Sequence, residues 1–257
     1  LVISASHNLF EDNGIKFFNK DGQKFSSKLE KRIETKLTKE MIPVESINLG
    51  KATRMSDAQG RYIEFCKSSF TSLDLSGLSI LLDCANGATY SVAPKVFSEL
   101  GAKVELIGAS PDGININKNC GSTSPNFLKE EIIKGSYDIG IAFDGDGDRI
   151  LIVTSDGEIL DGDDILYILS NNFDKDSGVV GTLMTNKALE MHFKKNNIPF
   201  CRADVGDKYV LHKLIEESWL LGGEPSGHII CLDSAPTGDA IIAALKILES
   251  IKYKNFS

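Results

Sequence analysis

The sequence predicts an α/β protein made of tandem α/β domains with mixed, mainly parallel sheets, in which the first domain is partial. Two observations support this. From about residue 57 onward, short apolar strands alternate with amphipathic helices, which is the order that βαβ units produce. Before that point, two strands and one helix are followed by an irregular stretch with Pro43 and Gly50. We therefore expect domains at residues 1–56, 57–157 and 158–257.

The first segment is predicted to contain two strands and one helix. The apolar run "LVIS" at the start is typical of a buried strand, and "NGIKFFNKDG" predicts a second strand that leads into a turn. Leu29, Ile33 and Leu37 recur at helical spacing behind a serine cap. The chain opens without Met and already inside a strand-like run, so we expect that the natural N-terminus lies upstream of Leu1.

The second segment alternates between the two kinds of element. "LSILLDCANGATY" predicts a buried strand that ends in a loop of small residues, and "SVAPKVFSELG" predicts a helix closed by Gly101. The strand "AKVELIG" and the helix "SPNFLKEEIIKG" follow, and the helix has a proline start and a glycine stop. "YDIGIAFD" and "RILIVTSDG" then predict two strands on either side of an acidic loop.

The third segment repeats this alternation. Its predicted helices are "DGDDILYILSNN", "NKALEMHFKKNN", "DKYVLHKLIEES" and "TGDAIIAALKILESIK". Its predicted strands are "SGVVGTLM", "IPFCRADV", "WLLGGE" and "HIICLD". Strands that alternate with helices of this length predict a sheet with parallel strands.

Composition excludes several classes of function. A net charge of −8 argues against a nucleic-acid-binding protein, and no apolar run reaches the roughly 18 residues that a membrane span needs. The cysteines are odd in number and form no CxxC pair, so we expect reduced thiols and a cytoplasmic location. These cysteines are Cys66, Cys84, Cys120, Cys201 and Cys231.

The loop "FDGDGDR" places Asp144, Asp146 and Asp148 on alternate positions with only glycine between them. Three carboxylates this close repel one another unless a cation lies among them, and oxygen ligands favour Mg²⁺, or else Ca²⁺ or Mn²⁺. An acidic surface turn is the alternative. A calcium-binding EF-hand would need Glu at its twelfth loop position, where this chain has Ser155. Arg149 cannot be a metal ligand, but its guanidinium suits a phosphate.

Two further loops carry chemistry-bearing residues. In "SASHN", Ser6 follows a strand, lies among small residues and precedes His7. A Ser-His pair alone is often only a loop feature, and the chain has no GxSxG elbow to indicate a hydrolase. In "GGEPSGH", Glu224 and Ser226 have alternate spacing on a glycine-rich turn, which is suited to binding the hydroxyls of a sugar.

Taken together, "ISASHN…DNGIKFF", "FDGDGDR", "VGDKYV" and "GGEPSGH", in this order, resemble the α-D-phosphohexomutase superfamily. The resemblance spans nearly the whole chain and is greatest to the bacterial branch that acts on glucosamine phosphates. One departure is Leu9, where the family more often has proline, which affects loop rigidity and not the chemistry. The resemblance implies four domains around a cleft, of which this chain holds the end of the first, the second and most of the third.

The resemblance also implies a role for each loop. Ser6 would be a phosphoserine whose phosphate helps to hold Mg²⁺. The implied metal ligands are Ser6, through its phosphate, Asp144, Asp146 and Asp148. The implied candidates for proton transfer are Lys16 and His228. The implied substrate-binding residues are His7, Arg149, Gly206, Asp207, Lys208, Glu224 and Ser226.

The implied reaction interconverts glucosamine 6-phosphate and glucosamine 1-phosphate through a 1,6-bisphosphate, for synthesis of UDP-N-acetylglucosamine. The implied partners are a hexosamine phosphate and a second copy of the chain, with no nucleic acid and no membrane. Three alternatives remain: a mutase for glucose or mannose phosphates, a sugar-phosphate-binding module without turnover, and a metal-dependent phosphatase. The phosphatase would need a DxDx[TV] sequence after a first strand, whereas position 148 is Asp and the loop follows a later strand.

Overall fold

The computed structural model describes residues 1–20, 22, 24–171, 173 and 177–254, and this part of the chain contains three sheets. In the first segment, β1 (Val2–Ser4) pairs antiparallel with β2 (Gly14–Lys16), and α1 (Ser27–Leu37) follows. Of the turn predicted after β2, Asp21 lies outside the described residues. The prediction that the opening strand is buried is wrong: Ile3 is 75% exposed, and β1 belongs to a two-stranded ribbon that is separate from the two larger sheets.

The second segment forms a five-stranded sheet with the order β4-β3-β5-β6-β7. Its strands are β3 (Ser79–Asp83), β4 (Lys103–Ile107), β5 (Ile139–Phe143), β6 (Ile150–Thr154) and β7 (Ile159–Leu160). Its helices are α2 (Ala58–Ser68), α3 (Ala93–Glu99) and α4 (Asn126–Lys134). β3 pairs parallel with β4 and β5, whereas β5, β6 and β7 pair antiparallel.

Helices cover both faces of this sheet, which explains why its central strands are continuous apolar runs. Every residue of β5 is buried. Successive residues of β3 point to opposite faces: Leu82 packs in the core with Phe97 of α3, and Leu81 packs with Leu128 of α4. The carboxyl end of β5, where the acidic loop begins, is therefore held between two packed layers.

The third segment forms a four-stranded sheet with the order β11-β10-β8-β9. Its strands are β8 (Val179–Thr182), β9 (Phe200–Ala203), β10 (Leu221–Gly223) and β11 (Ile229–Cys231). Its helices are α5 (Gly162–Ser170), α6 (Lys187–Lys195), α7 (Asp207–Glu217) and α8 (Ala240–Lys254). The centre of the sheet is parallel and β11 is antiparallel, so the predicted α/β class with mixed sheets is confirmed.

A single hydrophobic core joins the second and third segments. Ile150 and Ile152 of β6 share one cluster with Leu166 of α5 and with Ala244 and Leu248 of α8. Burial of this shared apolar surface contributes a free energy of about 25 cal/mol per Å², so the two units resist separation. Loops from both units are therefore held in a fixed relation. Across the described residues, no helix has the length and apolar character needed to span a membrane.

Candidate active site

The acidic loop joins β5 to β6 and depends on its glycines. Gly147 has φ +75°, a conformation that favours glycine. At Gly145 there is no room for a side chain, because a Cβ would lie 2.4 Å from the carbonyl oxygen of Ser6. Gly147 thus permits the turn, and Gly145 permits the close approach of the Ser6 loop.

Asp144 sets the shape of this loop. Its side chain is fully buried, and Oδ1 accepts hydrogen bonds from the backbone N–H groups of Gly147 (3.1 Å), Asp148 (3.0 Å) and Arg149 (3.0 Å). The second oxygen, Oδ2, is buried and accepts no hydrogen bond within the described part of the chain. One carboxylate therefore holds the turn with one oxygen and presents the other.

The three carboxylates are arranged as a cation site. One oxygen from each lies within 4.8 Å of the others. Asp144 Oδ2, Asp146 Oδ1 and Asp148 Oδ1 are all buried and have no hydrogen-bond partner among the described residues. Burial and the charges of Asp148 and Asp146 raise the pKa of Asp144. Unpartnered buried oxygens of this kind fit a hard divalent cation, which would offset their repulsion.

Lys16 at the end of β2 lies against the same loop. Its Nζ pairs with Asp146 and lies 3.8 Å from Asp148 Oδ2. Burial lowers the pKa of Lys16, but the hydrogen bond to Asp146 and the charges of the loop outweigh burial and raise it. The side chain of Lys16 is therefore positively charged beside the carboxylates of the acidic loop.

The Ser6 loop is bonded directly to the acidic loop. The carbonyl oxygen of Ser6 accepts hydrogen bonds from Gly145 N (3.1 Å) and Asn117 Nδ2 (2.7 Å), and its N–H donates to Ser4 Oγ at 2.8 Å. Ser6 itself has φ +53°, which is unfavourable for a residue with a Cβ. This backbone conformation is held by three hydrogen bonds beside the carboxylates.

His7 lies next to the Ser6 hydroxyl, with Nδ1 3.4 Å from Oγ. Burial and the charge of Arg149 lower the pKa of His7, so the ring is neutral near pH 7. A neutral imidazole can accept a hydrogen bond from a hydroxyl.

The predicted sugar loop, residues 222–228, is bonded to the acidic loop as well. Ile150 N donates to Gly227 O at 3.0 Å, and Arg149 and His228 form an isolated antiparallel bridge. A Cβ on Gly227 would lie 2.0 Å from Ile150 O, so glycine is required there. The sugar loop and the acidic loop therefore lie side by side.

Within the sugar loop, Glu224 connects to a second predicted substrate loop. Glu224 is 8% exposed, and its Oε1 accepts a hydrogen bond from Gly206 N at 2.9 Å. The buried ring of His228 lies between two carboxylates: Nδ1 is 3.7 Å from Asp148 Oδ2, and Nε2 is 4.0 Å from Asp207 Oδ2. Burial alone would raise the pKa of Asp148, but His228, Lys16 and Arg149 lower it.

A cleft of about 450 Å³ brings most of the predicted residues together. Ser6, Lys16, Asp148, Arg149, Gly206, Asp207, Glu224, Ser226 and His228 line it. Asp144 and Asp146 do not line it but cluster with Asp148, which does, and His7 lies beside Ser6. Lys208 does not line this cleft: its Nζ lies 5.1 Å from the centre of the Tyr209 ring and 3.4 Å from Ser27 Oγ.

Two residues of this region are missing from the sequence-based prediction. Lys24 lines the cleft and pairs with Asp207, although the two are far apart in the chain. Asn117, with φ +56°, donates to the carbonyl oxygens of both Ser6 and Asn8 at 2.7 Å. The signal for Asn117 was its residue type, because asparagine tolerates the left-handed conformation in loops.

The contact between α5 and the sugar loop leads to a testable prediction. A Cβ on Gly162 would lie 1.9 Å from Glu224 O. Gly162→Ala should therefore shift the sugar loop, lower the stability by about 1–3 kcal/mol and weaken binding of a sugar phosphate. Gly60→Ala is the matched control, since that helical glycine faces open space and the change should stabilise α2 by about 1 kcal/mol. Thermal unfolding and ligand titration check both variants. If Gly162→Ala and Gly60→Ala were equally stable, Gly162 would not lie in tight contact with Glu224.

Two bacterial proteins named phosphoglucosamine mutase match nearly the whole chain. Phosphoglucosamine mutase of Legionella pneumophila (strain Corby) is 55% identical over 260 residues, which cover 99% of this chain and 57% of that protein. Phosphoglucosamine mutase of Pseudomonas entomophila (strain L48) is 56% identical over 259 residues, 99% of this chain and 58% of that protein. The chain thus spans less than two thirds of the length of these relatives.

Solved structures share the fold at low sequence identity. A phosphoglucomutase/phosphomannomutase family protein from Burkholderia thailandensis superposes with a TM-score of 0.74 at 24% identity, covering 97% of this chain and 55% of that one. N-acetylphosphoglucosamine mutase from Aspergillus fumigatus, solved with GlcNAc-6P and magnesium, gives a TM-score of 0.62 at 19% identity, covering 77% and 52%.

Three sequence models of one family cover most of the chain. They describe the alpha/beta/alpha domains of phosphoglucomutase/phosphomannomutase: domain I matches residues 1–42, domain II matches 60–157 and domain III matches 161–257. The matches follow the order of the domains and include the Ser6 loop, the acidic loop and the sugar loop. The chain therefore belongs to the phosphoglucomutase/phosphomannomutase family.

Proposed function

We propose that the protein is a mutase that interconverts glucosamine 6-phosphate and glucosamine 1-phosphate with Mg²⁺ as its metal. The observation that carries this proposal is the single cleft onto which the Ser6 loop, the acidic loop and the sugar loop all open. Relatives that are 55–56% identical and are named phosphoglucosamine mutase support the amino sugar as substrate.

Asp144, Asp146 and Asp148 would hold the metal, together with a phosphate on Ser6. Three buried carboxylate oxygens that have no hydrogen-bond partner in the described part of the chain fit this role. When bound, the ion would neutralise charge on the phosphoryl group during transfer. Lys16, paired with Asp146, adds a positive charge at the same place.

Ser6 would carry the phosphoryl group between two positions of the sugar. In the first transfer, the bond from phosphorus to Ser6 Oγ breaks as a bond to the sugar O1 forms, and the hydroxyl proton passes, in net terms, from the sugar to Ser6 Oγ. The product is a 1,6-bisphosphate. The C6 phosphoryl group then returns to Ser6, which leaves the 1-phosphate. His7, neutral and 3.4 Å from Oγ, is placed to hold that proton in passage.

The remaining cleft residues would orient the sugar. Glu224 and Ser226 would bind sugar hydroxyls, and Arg149 would bind a phosphate bidentately. The hydrogen bond from Gly206 to Glu224 fixes the carboxylate that receives the hydroxyls. Because these loops are bonded to the acidic loop, the sugar and the phosphoryl group are positioned by one rigid frame, which favours transfer.

A second candidate is a mutase for glucose or mannose phosphates. It is favoured by the family description, which names phosphoglucomutase and phosphomannomutase. The cleft residues described above bind hydroxyls and phosphate, groups that all three sugars share.

Turnover of the full-length protein on three substrates separates these candidates. With Mg²⁺, kcat/KM should be highest for glucosamine 6-phosphate and lower for glucose and mannose 6-phosphates, and a chelator should abolish all three activities. A preference for a neutral hexose would establish the second candidate. Binding of the sugar phosphates without any turnover would refute the mutase proposal and leave a binding role.

A further inference from the structure

The start of α8 touches the acidic loop at its centre. Ala240 N donates a hydrogen bond to Gly147 O at 3.0 Å. Gly147 lies between Asp146 and Asp148, and its carbonyl group belongs to the Gly147–Asp148 peptide, so this bond holds the backbone next to two of the three carboxylates. Any shift of the helix start would turn that peptide and move both side chains.

Asp239 fixes the start of α8. Its Oδ1 accepts hydrogen bonds from Ile241 N and Ile242 N, each at 3.0 Å, which satisfies two of the free N–H groups at the helix start. Tyr62 of α2 donates its hydroxyl to the same carboxylate, at 2.8 Å from Oδ2 and 3.0 Å from Oδ1. Burial and the charge of Asp239 raise the pKa of Tyr62, so the hydroxyl stays a donor at physiological pH.

The same segment also packs against His228. A Cβ on Gly238 would lie 2.2 Å from His228 Nε2, so the backbone before Asp239 lies directly against the ring. That ring faces Asp148 at 3.7 Å. Residues 238–240 therefore contact the acidic loop directly, at Gly147, and indirectly, through His228.

We infer that Tyr62 and Asp239 are positioning residues: they hold the carboxylates of the acidic loop in their cation-binding arrangement by fixing the start of α8 against Gly147. They lie outside the cleft lining, and their effect passes through Ala240. The expected effect on Mg²⁺ binding and turnover rests on the proposed function. The expected effect on the position of the acidic loop rests on the hydrogen bonds alone.

The test uses Tyr62→Phe in the full-length protein, which removes only the hydroxyl. Loss of such a supporting hydrogen bond should weaken Mg²⁺ binding by about 10-fold and lower kcat similarly, with KM for the sugar phosphate unchanged. Tyr137→Phe is the control, because Tyr137 also donates to a carboxylate, that of Glu105 at 2.7 Å, away from the cleft. Calorimetry and steady-state kinetics measure the effects.

Asp239 provides the second comparison. Asp239→Ala should reproduce the loss, and Asp239→Asn should retain most of the Mg²⁺ affinity, since an amide oxygen in the place of Oδ1 can accept from Ile241 N, Ile242 N and the Tyr62 hydroxyl. Asn186→Ala, which removes the cap of α6, controls for a helix that merely loses its N-cap. If Tyr62→Phe and Asp239→Ala reduce only the melting temperature, as the controls do, and keep Mg²⁺ affinity and kcat, the inference is wrong.

Hydrogen exchange separates this inference from the proposed function. The amides of residues 145–149 should exchange faster in Tyr62→Phe than in Tyr137→Phe, with or without metal, because the loop loses its support. Failure of the unaltered protein to bind Mg²⁺ would refute the metal proposal alone. Unchanged exchange in Tyr62→Phe would refute the positioning role even if the unaltered protein binds Mg²⁺ and turns over.

Discussion

Replacing Ser6 with alanine in the full-length protein is expected to lower mutase turnover by several orders of magnitude while the fold remains intact. Ser6 supplies the hydroxyl that would carry the phosphoryl group, and covalent catalysis stops when its nucleophile is removed. The backbone cost of φ +53° is about the same for both residues, because each has a Cβ. The hydrogen bonds from Gly145 and Asn117 end on the carbonyl oxygen, so the substitution leaves them in place.

Turnover and circular dichroism together check this prediction. Ser68→Ala is a suitable control, since that hydroxyl donates to Phe65 O at the exposed end of α2. The nucleophile assignment is refuted by near-normal turnover of a folded Ser6→Ala protein. A variant that fails to fold would be replaced by Ser6→Gly, which accepts the same φ and also lacks the hydroxyl.

Asp144→Asn or Asp146→Asn should weaken Mg²⁺ binding and turnover together, with an expected loss of affinity of at least about 100-fold. Two unit charges about 4 Å apart interact by about 4 kcal/mol at an effective dielectric constant of 20, so one lost charge is a large part of the binding energy. Asp144→Asn is the sharper variant. Its Oδ1 can still accept the three amides of the loop, while Oδ2, which has no partner among the described residues, becomes an NH₂ group that cannot bind a cation.

Calorimetry on protein with phosphorylated Ser6 measures the affinity. Asp156→Asn is the matched control, because Asp156 lies in an exposed acidic turn between β6 and β7 and should leave the affinity unchanged. Unaltered Mg²⁺ affinity in both loop variants would mean that the acidic loop is not the metal site.

Much of the architecture could be predicted because local pattern determined it. The alternation of strands and helices, the bounds of most elements and the position of the acidic loop after β5 follow from periodicity and from Gly and Pro signals. Burial of the first strand could not be predicted from its apolar residues. Burial depends on which elements pack over a strand, and β1 lies in a two-stranded ribbon where Ile3 stays 75% exposed.

The chemical types of the site residues could be predicted from the sequence, but the residues that hold them in place could not. The side chains of the three carboxylates, Ser6 and Glu224 carry recognisable chemistry in short motifs. The partners that hold them are distant in the chain: Asn117 lies 111 residues from Ser6, and Tyr62 lies 177 residues from Asp239. Such pairs depend on how the sheets and helices are assembled, which a single sequence does not show. Asp239 had a local signal, since an Asp before an apolar helix is typical of an N-cap.

Ser6 is proposed to exchange its phosphoryl group with a sugar phosphate at a metal-dependent site. Phosphopeptide mapping of the full-length protein with radioactive phosphorus on Ser6, before and after mixing with one equivalent of unlabelled glucosamine 6-phosphate, tests it most directly. We expect the label on Ser6 at the start and its transfer to the sugar phosphate with Mg²⁺ but not with a chelator, while Ser6 receives unlabelled phosphate from C6. Turnover with Ser6 unphosphorylated throughout, or with the phosphate on another residue, would contradict the account.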